Sequence, residues 1–526
     1  MQNYLNGTAQ RLPDQVALKA GKEEMTYADL SRRVDSFATH LQNLGVERGD
    51  PVLLCLGNVP EMLVAFWATL KIGAVVSPVG IELQPAKVLY MLQDSGAKVF
   101  ITTAERQNDD LAHFMAQATQ LEHILWQGSE EAIPSGVSSL KSAMEMQEGQ
   151  PKPSSHLDID LAMIIYTSGS TGEPKGVMHT HRSMITAAES LGTYLDYRQE
   201  DRVICALPLS FDYGLYQVIL CARIGATLIL EKDVSWPVLF LKKIAQEKAT
   251  ILPAVPTLFA LLSTQNKKFK CDMSSIRAVT NTGAALTRNH IEDIKVTFPN
   301  AEIFSMYGLT ECKRCTWLPP EDIDRKPGSV GFAIPNTEMW IAGENGERLG
   351  PNESGQLVIR GGTVMRGYWQ KPEKTAEKLK DGPLPGEKVL YTGDRCLIDE
   401  EGYLYFQGRM DLMIKSRGVK VSPKEVEDYL YLHPSVKDAA VLGMPHAEFG
   451  EALFAFVVPK PEMELDSAQL LAYCKEGLEN YKVPEWVEIL PAFPLTPNGK
   501  FNLLGLKDRG LAQVQESPLV ENPVAL

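Results

Sequence analysis

Residues 166–176 read YTSGSTGEPKG. Thr167, Ser168, Ser170 and Thr171 surround Gly169 and Gly172, and Lys175 and Gly176 follow. Glycines let a backbone turn where a Cβ would clash, so successive N–H groups can face one anion. Hydroxyls add donors, and a lysine adds a compact positive charge. Together they suit the triphosphate of a nucleotide. Clusters of Gly, Ser and Thr are also ordinary loop composition, so the run gains weight only from what surrounds it. The pattern G-x-x-x-x-G-K-[ST] is absent, because Gly176 follows the lysine. The preceding residues, LAMIIYTS, read as a buried strand entering a loop.

Outward from that loop, the first part of the chain alternates helix and strand patterns. TYADLSRRVDSFATHLQNLG carries apolar residues at helical spacing and stops at Gly45. DPVLLCLGN predicts a short buried strand, EMLVAFWATLKIGAVVSPV a helix, a glycine stop and a strand, and AKVLYMLQDSGAKVFITT another helix and strand. Residues 128–157, rich in Ser, Gly, Pro and Glu, predict a surface connection. A second alternation spans residues 201–304. The pattern predicts an α/β fold: a large N-terminal domain of two parallel-type sheets covered by helices. Over residues 331–408, short strands between Gly and Pro turns predict a small β-rich unit. The sequence then turns to a compact mixed pattern, with helix PKEVEDYLYLH, two strands, helix SAQLLAYCKEGL and strand VEILPAF. We therefore expect an N-terminal domain over 1–410, a smaller, mobile α+β domain over 411–515, and a flexible tail over 516–526.

Bulk properties narrow the function. The chain has 526 residues and a formal net charge of −14, which argues against a nucleic-acid partner. No apolar run is long enough to span a bilayer, and the N-terminus lacks a basic start followed by an apolar stretch, so a cytoplasmic protein without membrane insertion is expected. The eight cysteines are scattered and read as reduced core residues. Cys312 and Cys315 form a single C-x-x-C without a second pair or a nearby histidine, which argues against zinc.

The run at 166–176, followed by VMHTHRSM, resembles the phosphate loop of the adenylate-forming enzymes: acyl- and aryl-CoA ligases, amino-acid adenylation domains and luciferases. The resemblance covers residues 21–505 through motifs in the family's order. It implies ATP and Mg²⁺ as cofactors. A carboxylate attacks the α-phosphate, giving an acyl-adenylate and pyrophosphate, and a thiol or amine then displaces AMP. In MYGLTEC, Glu311 supplies a hard oxygen ligand for Mg²⁺, Thr310 a hydrogen bond to the α-phosphate, Tyr307 a flat face for adenine, and Gly308 a wall shared by nucleotide and acid. Gly283 and Ala284 in NTGAALT would lie against adenine. Asp394 in YTGD would accept from the ribose hydroxyls, and Arg409 in QGRMD would add a ribose or phosphate contact. Asp411 resembles the hinge between domains, and Gly418 would let a pantetheine chain approach the backbone. By the same resemblance Lys500 in PLTPNGKFN would be the catalytic lysine, stabilising charge that builds on the phosphoryl oxygens.

The acid itself is left open. Phe211 and Asp212 in LPLSFDYGLYQ resemble the family's substrate-side segment, where many amino-acid domains use the Asp to hold an α-ammonium. An Asp at this position is equally favoured as a helix N-cap. Lys313 and Arg314, directly after the acidic motif, read as partners for a second acidic group on the substrate, as partners for a phosphate of the thiol partner, or as solvated charges. No carrier domain is visible, so the acceptor is CoA or a phosphopantetheine thiol on a separate carrier protein. The leading expectation is an AMP-forming carboxylate–thiol ligase. The alternatives are a standalone amino-acid adenylating enzyme, an ATP-dependent amide synthetase, a luciferase-type oxygenase and a nucleotide-binding relic.

Overall fold

A computed structural model describes all residues except 107–108, 146–149, 169–173, 418, 447–448, 462, 497–498 and 517–526. The chain divides into two compact units. One holds Met1–Pro327, Gly331–Met339 and Ile359–Leu390; the other holds Gly328–Val330, Trp340–Val358 and Tyr391–Leu526.

The larger unit is built on two sheets. In the first, the strands Glu302–Tyr307, Ala278–Asn281, Ile251–Ala254, Arg202–Cys205, Thr227–Leu230 and Val16–Ala20 lie side by side and parallel, with antiparallel strands at both edges. In the second, Leu161–Ser168, Val75–Pro78, Pro51–Leu54, Val99–Thr103 and His123–Gln127 form the parallel centre. These strands read as continuous apolar runs because helices cover both faces of a parallel sheet. The helix Tyr27–Asn43 starts at a capping box between Thr26 and Asp29. It buries Leu30, Val34, Phe37 and Leu41, an i, i+3, i+4 stripe, in one core with the fully buried helix around Phe66 and Trp67.

Two features depart from the pattern read in the sequence. Residues 128–157 are not all surface connection: the helix Leu140–Glu145 buries Leu140 and Ala143, one helical turn apart. The strand leading into the phosphate-loop residues also returns as an antiparallel hairpin. Leu161–Ser168 pairs with Pro174–Thr180 from Leu161↔Thr180 to Ser168↔Pro174. The far strand then carries the two-residue strand Gly367–Tyr368 along its outer edge.

The strands Thr337–Ala342, Gly355–Gly361 and Lys388–Ile398 form as the turn-rich pattern over 331–408 predicts. In the smaller unit, Gly450–Pro459 pairs with Val436–His446, Ile414–Ser416 and Trp486–Ile489. The helices Pro423–Tyr431 and Ser467–Gly477 bury Val426, Leu430, Leu470 and Cys474 in its core. The helix Leu503–Glu516 has no counterpart in the sequence reading. Gly505 and Gly510 depress its intrinsic propensity, yet Leu506 and Val514 pack against Phe456 and Met444 in a second cluster.

Candidate functional site

The hairpin places Thr167 and Lys175 directly opposite each other, at the end from which residues 169–173 emerge. Gly169, Ser170 and Thr171 lie outside the described residues, as do the side chain of Ser168 and Gly418. The hairpin is fastened from outside. Tyr166 donates its hydroxyl to Asp94 at 2.7 Å, and the Trp369 indole N–H donates to the Asp94 carbonyl at 2.8 Å. Both contacts fall on the last turn of the helix Pro85–Ser95.

The residues 307–311 leave the carboxyl end of the strand Glu302–Tyr307, where open parallel sheets bind ligands. Hydrogen bonds to its backbone carbonyls hold this segment. Cys315 N–H donates to the Tyr307 carbonyl at 2.9 Å, and Met365 N–H donates to the Glu311 carbonyl at 2.7 Å. His179 Nε2 donates to the Thr310 carbonyl at 2.7 Å, so the neutral ring carries its proton on Nε2. Burial first, then the charge of Lys313, pushes His179 well below its ordinary pKa. Gly308 has no room for a side chain, since a Cβ there would overlap the Lys313 carbonyl and crowd the Arg314 Cα.

Tyr368 ties the two segments together. Its hydroxyl donates to Glu311 Oε1 at 2.8 Å, and the Lys175 ammonium lies 5.7 Å from its ring centroid, within cation–π range. One tyrosine thus orients both the acidic residue and the lysine that the sequence singled out. Tyr368 itself escaped the sequence reading, because a two-residue strand carries no periodic signal. His179 stood in the quoted run VMHTHRSM, but a lone histidine is unremarkable until its partner is known.

Nearby strands supply the rest. Asn281 ends its strand and donates to the Ala284 carbonyl at 2.9 Å, while Gly283 takes φ +88° and leaves itself and Ala284 exposed. Phe211 is the N-cap of the helix Asp212–Ile224, without a side-chain capping bond, and Asp212 occupies its first turn. The N-cap reading of Asp212 is therefore corrected by one position. Its carboxylate is taken by another group: Lys313 Nζ donates to Asp212 Oδ1 at 2.6 Å, and Arg314 Nη1 stands 3.6 Å from Oδ2. The solvated reading of this basic pair is overturned as well, since Lys313 is 1% exposed and Arg314 5%. Lys313 takes φ +64°, the left-handed region that non-glycine residues seldom occupy. Burial lowers its pKa against the raising pull of Asp212.

Next to this trio, the thiols of Cys312 and Cys315 lie 3.0 Å apart and buried. The contact with Cys315, then burial, raises the Cys312 thiol well above its ordinary value. Among the described residues no group of three or more His, Cys, Asp and Glu side chains gathers as a metal cage. A magnesium ion carried by phosphate oxygens needs only one or two protein carboxylates, and the partly exposed Glu311 fits that demand.

In the smaller unit, Asp394 and Arg409 are register partners on adjacent strands. Arg409 Nε lies 3.2 Å from Asp394 Oδ1 and 3.1 Å from Asp411 Oδ1, so one guanidinium bridges both carboxylates. Lys500 sits in a tight turn closed by Thr496 N–H to the Lys500 carbonyl at 2.7 Å. Gly499 makes that turn with φ +73°.

The AMP-binding enzyme family matches residues 5–369, and the C-terminal domain of AMP-binding enzymes matches residues 425–500. This chain belongs to the adenylate-forming, AMP-binding enzymes. It is 32% identical to a long-chain-fatty-acid–CoA ligase of Salmonella typhimurium, over 96% of this chain and 94% of that one. It is 33% identical to a feruloyl-CoA synthase of an Amycolatopsis species, over 94% and 95%. Among solved structures, it resembles the anthranilate CoA ligase AuaEII in complex with anthranoyl-AMP, with a TM-score of 0.88, 28% identity and coverage of 98% and 97%. It also resembles the o-succinylbenzoate CoA synthetase of Bacillus subtilis in complex with ATP and magnesium ion, with a TM-score of 0.82, 26% identity and coverage of 96% and 98%. Among the described residues, no helix of this AMP-binding enzyme is long and apolar enough to cross a membrane.

Proposed function

We propose that this AMP-binding enzyme activates a carboxylic acid with ATP to an acyl-adenylate, releasing pyrophosphate, and then passes the acyl group to the thiol of CoA. The observation that carries the reading is the cluster around Tyr368, where Lys175 and Glu311 meet beside Thr310. Lys175 and the phosphate-loop donors would hold the outer phosphates. Thr310 would donate to the α-phosphate, whose approach is set by the backbone that His179 and Met365 fix. Magnesium held at Glu311 would supply neutralising charge to the phosphates. Asp394 would receive the ribose hydroxyls, trading part of its contact with Arg409. Lys500 would stabilise the charge that builds on the α-phosphoryl oxygens, and Asp411 would act as the hinge between an N-terminal domain over 1–410 and a C-terminal domain over 411–515.

CoA is favoured as acceptor because the similar chains are named for CoA thioester formation. The amino-acid alternative loses its main support, since the Asp212 carboxylate that would hold an α-ammonium is engaged by Lys313. The test is acid-dependent ATP–pyrophosphate exchange, followed by CoA-thioester formation. Lys500→Ala is expected to lower exchange by about 10²–10³-fold. Exchange that survives Lys500→Ala would overturn the assignment of that lysine. Acyl transfer to a carrier protein or an amine, but not to CoA, would overturn the acceptor.

A further inference from the structure

Asp212, Lys313 and Arg314 form a charged trio that the chemistry proposed above does not use. Their side chains are 6%, 1% and 6% exposed. Asp212 offsets one cation, and a guanidinium stays protonated in proteins. The one carboxylate of the trio is already bonded by Lys313 at 2.6 Å, and Arg314 stands 3.6 Å from its other oxygen. The ring of Tyr213 stands 5.0 Å from the Arg314 guanidinium carbon, and the ring of Tyr216 lies 5.5 Å from Lys313 Nζ.

Arg314 also has unused donor capacity. Its Nη1 donates to the Lys313 carbonyl at 2.9 Å, but its buried Nε has no hydrogen-bond partner among the described residues. Buried donors are rarely left that way. The trio sits directly behind the segment 307–311, because Gly308 packs on the backbone of Lys313 and Arg314. It also sits at the first turn of the helix that follows Phe211, the residue placed on the acid's side.

We infer that the acid activated by this enzyme carries a second anionic group, received by Arg314 with Lys313 behind it. The inference rests on the ligase reading and names its substrate class. An anion would accept from the unpartnered Nε and pair with the guanidinium. An aliphatic tail would do neither, and an α-ammonium would meet two cations in place of an available carboxylate.

The test compares exchange with succinate, adipate, suberate and isophthalate against butyrate, hexanoate, octanoate and benzoate, with the ω-hydroxy acids of matching length alongside. At least one diacid is expected to exceed its monoacid in kcat/KM by about tenfold or more. Arg314→Gln should lower kcat/KM for that diacid about tenfold to hundredfold, mainly through KM, and Arg314→Lys should restore part of it. Melting curves establish that each variant folds, and the preferred diacid should raise the melting temperature of the wild type but not of Arg314→Gln. Exchange confined to monoacids would uphold the ligase reading and overturn this one. Hydroxy acids that match the diacids, or a preference unmoved in Arg314→Gln, would also overturn it. Absence of exchange with every acid would overturn the ligase reading. A melting temperature that no diacid shifts would overturn the inference whatever the exchange assay gives.

Discussion

Two buried aspartates in this molecule have opposite circumstances. Asp212 and Asp394 are both almost inaccessible, at 6% and 1% side-chain exposure. The partner of Asp212 is a lysine as deeply buried as itself, 101 residues away in sequence. Asp394 faces Arg409, which is 37% exposed and shares itself with Asp411. A buried cation cannot leave without being stranded in low dielectric, so Asp212 is committed to the interior. A half-exposed arginine can turn to water or to its second carboxylate, so Asp394 can exchange its partner for a ligand. The burial of a carboxylate therefore says less about its role than the exposure of its partner does.

The comparison is most exposed at Asp212. Asp212→Ala strands Lys313 and Arg314, and is expected to cost about 3–5 kcal/mol of stability, measured by urea unfolding. A variant as stable as wild type would mean that the trio is better solvated than its burial indicates. Asp394→Ala should behave in the reverse way. Stability should change by less than about 1 kcal/mol, because Arg409 keeps Asp411, while affinity for AMP should fall about tenfold to hundredfold if the proposed ribose contact is correct. Calorimetric titration with AMP reads this directly, and an unchanged affinity would remove Asp394 from the nucleotide site.

His181 extends the comparison to a buried group with no partner at all among the described residues. It is 1% exposed, both ring nitrogens lack a hydrogen-bond partner among the described residues, and its one ring contact among them is a stack on His156 with centroids 4.6 Å apart. Burial first, then the positive N-terminus and His156, pushes its pKa down to about 3. The folded state thus favours the neutral ring. Its contribution is intact above the unfolded value near 6.5 and is lost as pH falls from there toward 3. By pH 5 the loss should reach about 2 kcal/mol. His181→Phe keeps the ring and should flatten the decline in melting temperature between pH 7 and pH 5. An unchanged slope would assign the acid sensitivity to other groups.

The smallest expected effect is at Tyr368. Tyr368→Phe removes one hydrogen bond to Glu311 while keeping the ring beside Lys175. Stability should fall by about 1 kcal/mol and exchange activity by about fivefold. A larger fall in activity without a change in stability would mean that the hydroxyl acts on the nucleotide itself.

Much of the architecture was legible in the sequence because it depends on local rules. The helix Tyr27–Asn43 follows from its apolar spacing and its stop at Gly45, and the central strands follow from short apolar runs between turns. The helix Leu503–Glu516 was not legible, because its glycines spoil the local signal and tertiary packing decides its fate. The same division runs through the site. Lys175, Thr310 and Glu311 stand in recognisable motifs, whereas Tyr368 matters only through a pairing with a strand far off in sequence. Local sequence does not decide between the paired and the solvated readings of Lys313 and Arg314, because Asp212, the partner of Lys313, stands 101 residues away. Asp212 was read for its chemistry, but a sequence does not show that a carboxylate is already occupied.

The hydrogen bond from His179 to the Thr310 carbonyl has a kinetic corollary. Histidines beside phosphate chemistry are natural suspects for the acid limb of a pH–rate profile. His179 is poorly placed for that role: it is completely buried, its proton sits on the nitrogen that faces Thr310, and burial pushes its pKa well below the ordinary value. The ring serves as a buried strut beneath the Thr310 carbonyl. An inflection in that profile is therefore expected to report on the substrate, the nucleotide or another residue.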